Sequence, residues 1–494
     1  MGREIADERF SDEDHRIFGD RCREGLAVLE ALLDRPGFGA GAPSLGAELE
    51  VGLVDERAQP APVNHRVCEV ADDERLELEL DRFNLELNSR PCPLAGRPFA
   101  AIRDDLAAGL RSLDAAAERA GARAVAVGIL PTLRAEHLGP PAMSDSPRFR
   151  ALNAGLRRLR GGPFRIRIDG PEALDTAWDD VTLEGAATGF HIHLRVPPAG
   201  FAAALNAAQV ALAPALAVGA NSPLLLERVL WHETRVALFG QAVDDRATIG
   251  SAWLPSRASF GHGWVAGPLE PFAESVALHV PILPVVDEED PIAAHRAGLD
   301  PGLHELRLHH GTVWRWVRAV MAPGRDAHLR IELRALPGGP TLADMMANAA
   351  FLVGLTLAVA PEMGWVARSL PFDFARRNFY AAARQGLEAV LLWPAPEAPS
   401  PRPWAAVDLV RHLIPVARHG LEAAGVAEDE AEEHLSVIER RAALGATGSS
   451  WQRRALAALE GRAGRREALA LMTEAYIERA ADGAPVHRWS VPTG

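Results

Sequence analysis

The feature that most constrains this chain is a two-residue alternation that returns in four separate stretches. In "GAELEVGLVD" (46–55) Ala47, Leu49, Val51 and Leu53 share one parity, and Glu48 and Glu50 share the other. Successive side chains of a strand point to opposite faces, so the stretch reads as a strand with one aliphatic and one acidic face. In 190–196 His191, His193 and Arg195 oppose Phe190, Ile192, Leu194 and Val196. In 328–334 His328, Arg330, Glu332 and Arg334 oppose Leu329, Ile331 and Leu333. In "LELELDRFNLELN" (76–88) Glu77, Glu79 and Asp81 share one parity and Glu86 has the other. There the apolar positions also change parity around 81–84, which predicts a bulge or bend in the strand.

A solvated sheet face alternates in the same way, so any one strand alone is ambiguous. Solvated faces, however, carry Thr, Ser and mixed charge, whereas these four repeat Glu, His and Arg. Carboxylates with a neutral imidazole form an oxygen-rich site suited to Mg²⁺ or Mn²⁺. Arginines beside them suit a phosphate or a substrate carboxylate.

Around these strands the spacing predicts helices over 16–35, 98–120, 201–220, 223–240 and 341–360, and a further strand over 122–131. Beyond the Pro-rich "PAPEAPSPRPW" (394–404) the remainder reads as entirely helical. Strands separated by helices and long connections indicate an α+β chain rather than a regular βαβ repeat. His304, His309 and His310 share no clean face, which predicts a surface or loop role. The Trp and Arg residues of "VWRWVRAVM" (313–321) read as helix packing, and Glu233 beside Arg235 as part of a helix whose face alone would be solvated.

What the chain lacks narrows the chemistry. All 52 basic residues are arginine. A Walker-type phosphate loop, a pyridoxal-phosphate Schiff base and a lysine nucleophile are therefore excluded. There is no GxSxG, no HExxH and no GxGxxG following a strand. A net charge of −14 argues against non-specific nucleic-acid binding. No apolar run is expected to reach the ~18–20 residues of a membrane span; 341–360 comes closest and contains Asp344 and Asn348. The charged "MGREIADERFSDEDHR" start has no signal-peptide core, so a cytoplasmic protein with no membrane partner is expected. Cys22, Cys68 and Cys92 are too few and too scattered for a disulfide framework or zinc ribbon.

Taken in order, the motifs resemble those of glutamate–cysteine ligases and their carboxylate–amine ligase relatives over roughly residues 44 to 390. "GAELEVGLVD" is similar to that family's first acidic strand. "ELDRFNLELNSRP" resembles its second acidic segment, with Glu79 and Glu86 seven apart. "TGFHIHLRV" resembles the strand whose metal-binding histidine stands two residues after a glycine, which picks out His191. "VGANSPLLL" (218–226), "HETRVALFGQ", "FGHGWVAGPLEPFAESVALHVPIL" and "HLRIELRALPGGPTLADMMANAAFLVGL" are similar to later segments.

The resemblance implies a glutamine-synthetase-like α+β core: a mainly antiparallel sheet forming a funnel-shaped site packed by helices. The expected division is an N-terminal helical segment (1–43), a catalytic domain (44–393) and a helical C-terminal region (394–494) that matches no segment of the family. It implies ATP and Mg²⁺, with Mn²⁺ as an alternative, and Glu48, Glu50, Glu79, Glu86, His191 and Glu332 as metal ligands. Arg334 and Arg235 would face the phosphates or the acyl-phosphate, and His193 would join them at the nucleotide. The implied reaction phosphorylates a carboxylate, foremost the glutamate side chain, and couples it to an amine, foremost that of cysteine, as in glutathione biosynthesis. The alternatives are the same machinery acting on another amine in a specialised pathway, or a non-catalytic nucleotide- or metal-binding relative. The expected partners are small-molecule substrates, with a homo-oligomer possible.

Overall fold

The structure is a computed structural model that describes residues 8–247, 253–324, 326–396 and 400–492. The expectations for the first seven residues and for the middle of the Pro-rich segment lie outside the described residues. Six strands carry the architecture: β1 (Ser44–Val54), β2 (Leu76–Leu78), β3 (Asn84–Asn88), β4 (Phe190–Arg195), β5 (Val317–Ala322) and β6 (His328–Leu333). They run in the order β5–β6–β4–β1–β3–β2, each pair antiparallel, and 92–93 and 123–125 add short pairings to β1. The long β1 is central because its aliphatic residues are fully covered: Leu49, Val51 and Leu53 are all 0% exposed.

The apolar face of the sheet packs on helices. N-terminal α1 (Asp12–Leu33) is fixed at its start by a capping box, in which Ser11 and Asp14 satisfy each other's backbone N–H. Helices α2 (Pro98–Arg119), α3 (Phe201–Gly219) and α4 (Leu342–Val359) follow. Both α3 and α4 are apolar nearly all round, and their long apolar windows are 89% and 78% buried inside the protein. Each is long and apolar enough to cross a membrane, contrary to the expectation that no segment would be, and each instead forms the middle of the core.

The chain after the Pro-rich segment forms α5 (Ala406–Ala423), α6 (Glu428–Leu444), α7 (Gly448–Glu460) and α8 (Arg465–Ala481). Helices α4 and α5 cross at a glycine contact so close that a Cβ on Gly420 would lie 2.1 Å from the Gly354 carbonyl. Two polar residues of α4 face Arg441 on α6. Arg441, fully buried, donates to Asn348 Oδ1 at 2.8 Å and lies 3.6 Å from Asp344 Oδ1.

Local expectations are corrected at 76–88, 223–240, 304–311 and 313–321. The segment 76–88 is two strands joined by a tight turn at 79–83, not one bent strand. Antiparallel pairing sets Glu77 opposite Glu86, so the change of parity is what places both on one face. Only Thr234–Ala242 of the predicted 223–240 helix is helical. Residues 224–229 form a hairpin whose turn residues, Leu226 and Glu227, have φ of 48° and 64°, a backbone no helix tolerates. The Pro-rich segment brings Val390–Trp393 and Arg402–Ala405 together as a further hairpin. The 313–321 stretch yields strand β5, and 304–311 is a helix whose His309 and His310 are buried rather than surface residues.

Candidate active site

The polar faces of β1, β3, β4 and β6 are not solvated. Glu48, Glu86, His191, His193 and Glu332 are all less than 9% exposed. The register sets them in rows across the sheet: Glu50 opposite Glu86, Glu48 opposite His191, and Glu332 opposite His193. Cross-strand neighbours on one face stand ~4.5–5.5 Å apart at Cβ, so the side chains converge.

Two groups of three ligand atoms result, each within 4.8 Å: Glu48, His191 and Glu332, and Glu50, Glu86 and His191. His191 Nδ1 lies 3.4 Å from Glu48 Oε2 and 3.9 Å from Glu332 Oε1, while its Nε2 lies 3.7 Å from Glu50 Oε1. Around an octahedral ion with bonds of 2.0–2.1 Å, neighbouring ligands are about 3 Å apart and opposite ones about 4.2 Å, so these separations fit Mg²⁺ or Mn²⁺. A neutral imidazole has one lone pair, so His191 serves one of the two groups at a time. Glu79 lines the same cavity but stands outside both groups.

The electrostatics separate these acids into two kinds. Burial acts to raise Glu332, but Arg318 and Arg334 outweigh it and hold the carboxyl far below its usual range. Burial likewise acts on Glu48, and His193 and His191 together hold it well below the ordinary value. Glu86 and Glu79 lack such partners. Burial, with Glu48 and Glu79 nearby, pushes Glu86 well above the usual range. Burial and Glu50 push Glu79 up to about 7. A carboxyl forced to hold a proton is a donor lacking a positive charge, and a divalent cation supplies one. The donor set therefore fits the implied metal.

The cations frame this acidic row. Arg334 donates to Glu332, and although burial disfavours its charge, Glu332 and Glu50 more than compensate and keep it protonated. Arg318 donates to Glu332 Oε2 at 2.5 Å. Arg235 is 4% exposed; its Nη1 donates to Glu233 Oε1 and to the Ala335 carbonyl, both at 3.2 Å. Its Nε has no partner among the described residues. That leaves donors free on a buried guanidinium that, with Arg334 and Glu50, lines a small chamber beside the acids. Gly189 is what admits it, because a Cβ there would lie 2.8 Å from Arg235 Nη2 and 2.5 Å from His191 Nε2.

His193, expected at the nucleotide, stands between Glu48 and Arg330. Its Nε2 lies 2.8 Å from Glu48 Oε1, and its Nδ1 accepts from Arg330 Nε at 2.9 Å. Sequence reasoning missed Arg318 and Glu184. Arg318 was legible as the polar position between Val317 and Ala319, had that stretch been read at period two. Glu184 sits on a loop without periodicity. Burial and Glu79 push it up to about 8, and it lines both cavities.

The cavity over these acids, ≈ 320 Å³, has an acidic floor and an apolar wall that includes Phe149, Leu152, Leu156, Phe272 and Leu283. Residues 44–475 match the model of glutamate-cysteine ligase family 2, so the helical region from 394, expected to match no segment of the family, is covered as far as residue 475. A provisionally named glutamate–cysteine ligase 2-2 of Mycolicibacterium vanbaalenii is 30% identical over 184 residues, 37% of this chain and 43% of that protein. The match thus spans less than half the length of that relative. The crystal structure of a glutamate–cysteine ligase from Francisella tularensis in complex with AMP superposes with a TM-score of 0.54 at 11% identity, covering 91% of this chain and 90% of that one. A bifunctional glutathione synthetase from Pasteurella multocida gives 0.50 at 12% identity, covering 93% of this chain and 53% of that one. At these identities the likeness is one of fold.

Proposed function

Because this chain belongs to glutamate-cysteine ligase family 2, we propose that it is an ATP- and Mg²⁺-dependent ligase joining the side-chain carboxylate of glutamate to the amine of cysteine. The observation that carries the reading is the convergence of Glu48, Glu50, Glu86, His191 and Glu332 on one sheet face, with Arg334 and Arg235 at its edge. Divalent ions bound to the acids, with Glu79 completing the set, would neutralise the triphosphate and the transferring phosphoryl group. A substrate carboxylate oxygen attacks the γ-phosphorus and ADP leaves. The amine nitrogen then attacks the acyl carbon, phosphate leaves, and the nitrogen gives up its proton.

In that sequence the two arginines stabilise oxygens that gain charge. Arg334 is fixed by Glu332 and Arg235 by Glu233, so neither must reorganise as the charge develops. The apolar wall keeps water from the acyl-phosphate until the amine arrives. The product would be γ-glutamylcysteine, the first intermediate of glutathione biosynthesis.

The deciding experiment is ADP formation from Mg·ATP and glutamate across a panel of amines. Turnover that peaks with cysteine supports the reading in full. Turnover with glutamate and another amine keeps the ligase and moves it to a specialised pathway. ADP release that is indifferent to any amine, or absent throughout, refutes the ligase.

A further inference from the structure

The C-terminal helices reach the candidate site through one buried run of hydrogen bonds. Gln452 on α7 donates through Nε2 to the Asn221 carbonyl at 3.1 Å and to Asn221 Oδ1 at 2.9 Å. The Tyr476 hydroxyl on α8 accepts from Asn221 Nδ2 at 2.8 Å and donates to the Ala126 carbonyl at 2.9 Å. Asn221 in turn donates from its backbone N–H to Glu233 Oε2 at 2.9 Å, and Ser222 Oγ donates to Glu233 Oε1 at 2.6 Å. Glu233 Oε1 accepts from Arg235 Nη1. Every intermediary is sealed from solvent: Asn221, Ser222, Glu233 and Gln452 are 0% exposed and Tyr476 is 1%.

The fit is close as well as polar. A Cβ on Gly448, at the start of α7, would lie 2.0 Å from Asn221 Oδ1, so the helix end is seated directly on the 220–222 turn. Asn221 Nδ2 also donates to the Gly338 carbonyl at 2.8 Å, in the loop that follows Arg334. Buried groups of this kind have one set of partners and no water to substitute for a lost one. Glu233 is thus held from one side by the turn that α7 and α8 clamp, and holds Arg235 from the other.

We propose that Gln452 and Tyr476 are positioning residues for Arg235, so that the C-terminal helices complete the active site instead of being appended to it. The proposal rests on the reading in which Arg235 faces the transferring phosphoryl group. Nothing in the four-strand motif points to it, because the residues involved lie up to 255 positions apart.

The test uses the full chain with Y476F, which keeps the ring packed against Trp451 and Trp489, and Q452M, which keeps its bulk. Each is expected to lower kcat about tenfold with KM for Mg·ATP changed less than twofold, and to unfold within a few degrees of the wild type. The discriminating readout is the cycle with R235A: in that background Y476F is expected to cause no additional loss. Losses that multiply in the double variant, or a wild-type kcat in both single variants, overturn the proposal. Should the wild-type chain turn over no carboxylate–amine pair, the ligase reading fails separately, and a crystal structure of Y476F decides the positioning. Arg235 displaced from the Ala335 carbonyl supports it; Arg235 unmoved refutes it.

Discussion

Replacing Glu79 with glutamine should stabilise the metal-free protein at pH 8 and destabilise it relative to wild type once Mg²⁺ is present. Burial and the neighbouring Glu50 raise this carboxyl from its ordinary 4.5 to about 7 on folding. The folded state therefore binds the proton more tightly than the unfolded one. Its contribution is fully present below about 4.5 and is lost as the pH rises through about 7. At about 1.4 kcal/mol per pH unit the loss by pH 8 would be ~3 kcal/mol, and solvent in the cavity screens it to ~2 kcal/mol. A chain of 494 residues unfolds with an entropy of about 1 kcal/mol/K, so E79Q should melt about 2 °C higher than wild type in EDTA at pH 8. That gap should close as the pH falls from 7 toward 4.5. With Mg²⁺ at a hundred times its dissociation constant, wild type gains about 2.7 kcal/mol, and the variant, its affinity weakened by loss of a charged donor, should gain under about 0.7 kcal/mol, which reverses the order. Thermal melts at both pH values, with EDTA and with Mg²⁺, check the reversal. E79Q melting below wild type in EDTA at pH 8, or gaining as much from Mg²⁺, would refute the argument that this acid is destabilised for want of a cation.

Glu50→Ala should abolish ATP turnover while leaving the fold intact, because its side chain, 14% exposed, stands in one ligand group and its loss frees only the Gly189 N–H it accepts; near-normal ADP release would remove it from the site. Arg334→Lys should lower kcat by about 10²–10³, since an ammonium cannot reproduce the paired donors of a guanidinium; a wild-type rate would make Arg334 structural only. Arg318→Leu leaves the fully buried Glu332 with one cation fewer and should cost about 3 kcal/mol in denaturant melts; an unchanged midpoint would show that Arg334 alone suffices. Gly189→Ala introduces a Cβ against His191 and Arg235 and should weaken Mn²⁺ binding, measured by calorimetry, together with turnover; binding at wild-type strength would mean that both side chains can yield.

The strands of the site were legible because a period-two pattern is local. Each of β1, β4 and β6 carries its core face and its polar face in six to eleven consecutive residues. Elements whose pattern is set by distant partners were misread. The 224–229 hairpin looks helical because Leu225 and Val229 fall four apart, and the 304–311 histidines look exposed because their spacing shares no face. Arg318 was missed because 313–321 was read as a helix, which hid its place directly opposite Glu332 on the neighbouring β6.

What the sequence by itself determined is the chemistry available: acids, an imidazole and arginines on strand faces, and no lysine to act in their place. The tertiary structure decided which of them meet. Strand order brings Glu48, His191 and Glu332, and Glu50, Glu86 and His191, within 4.8 Å of one another in two groups of three. Packing between helices separated by more than two hundred residues ties the C-terminal region to Arg235 through Asn221 and Glu233. The physical reason is range. Side-chain direction along a strand depends on the parity of adjacent residues, whereas convergence depends on which apolar surfaces exclude water together, and that is settled only when the whole core is assembled.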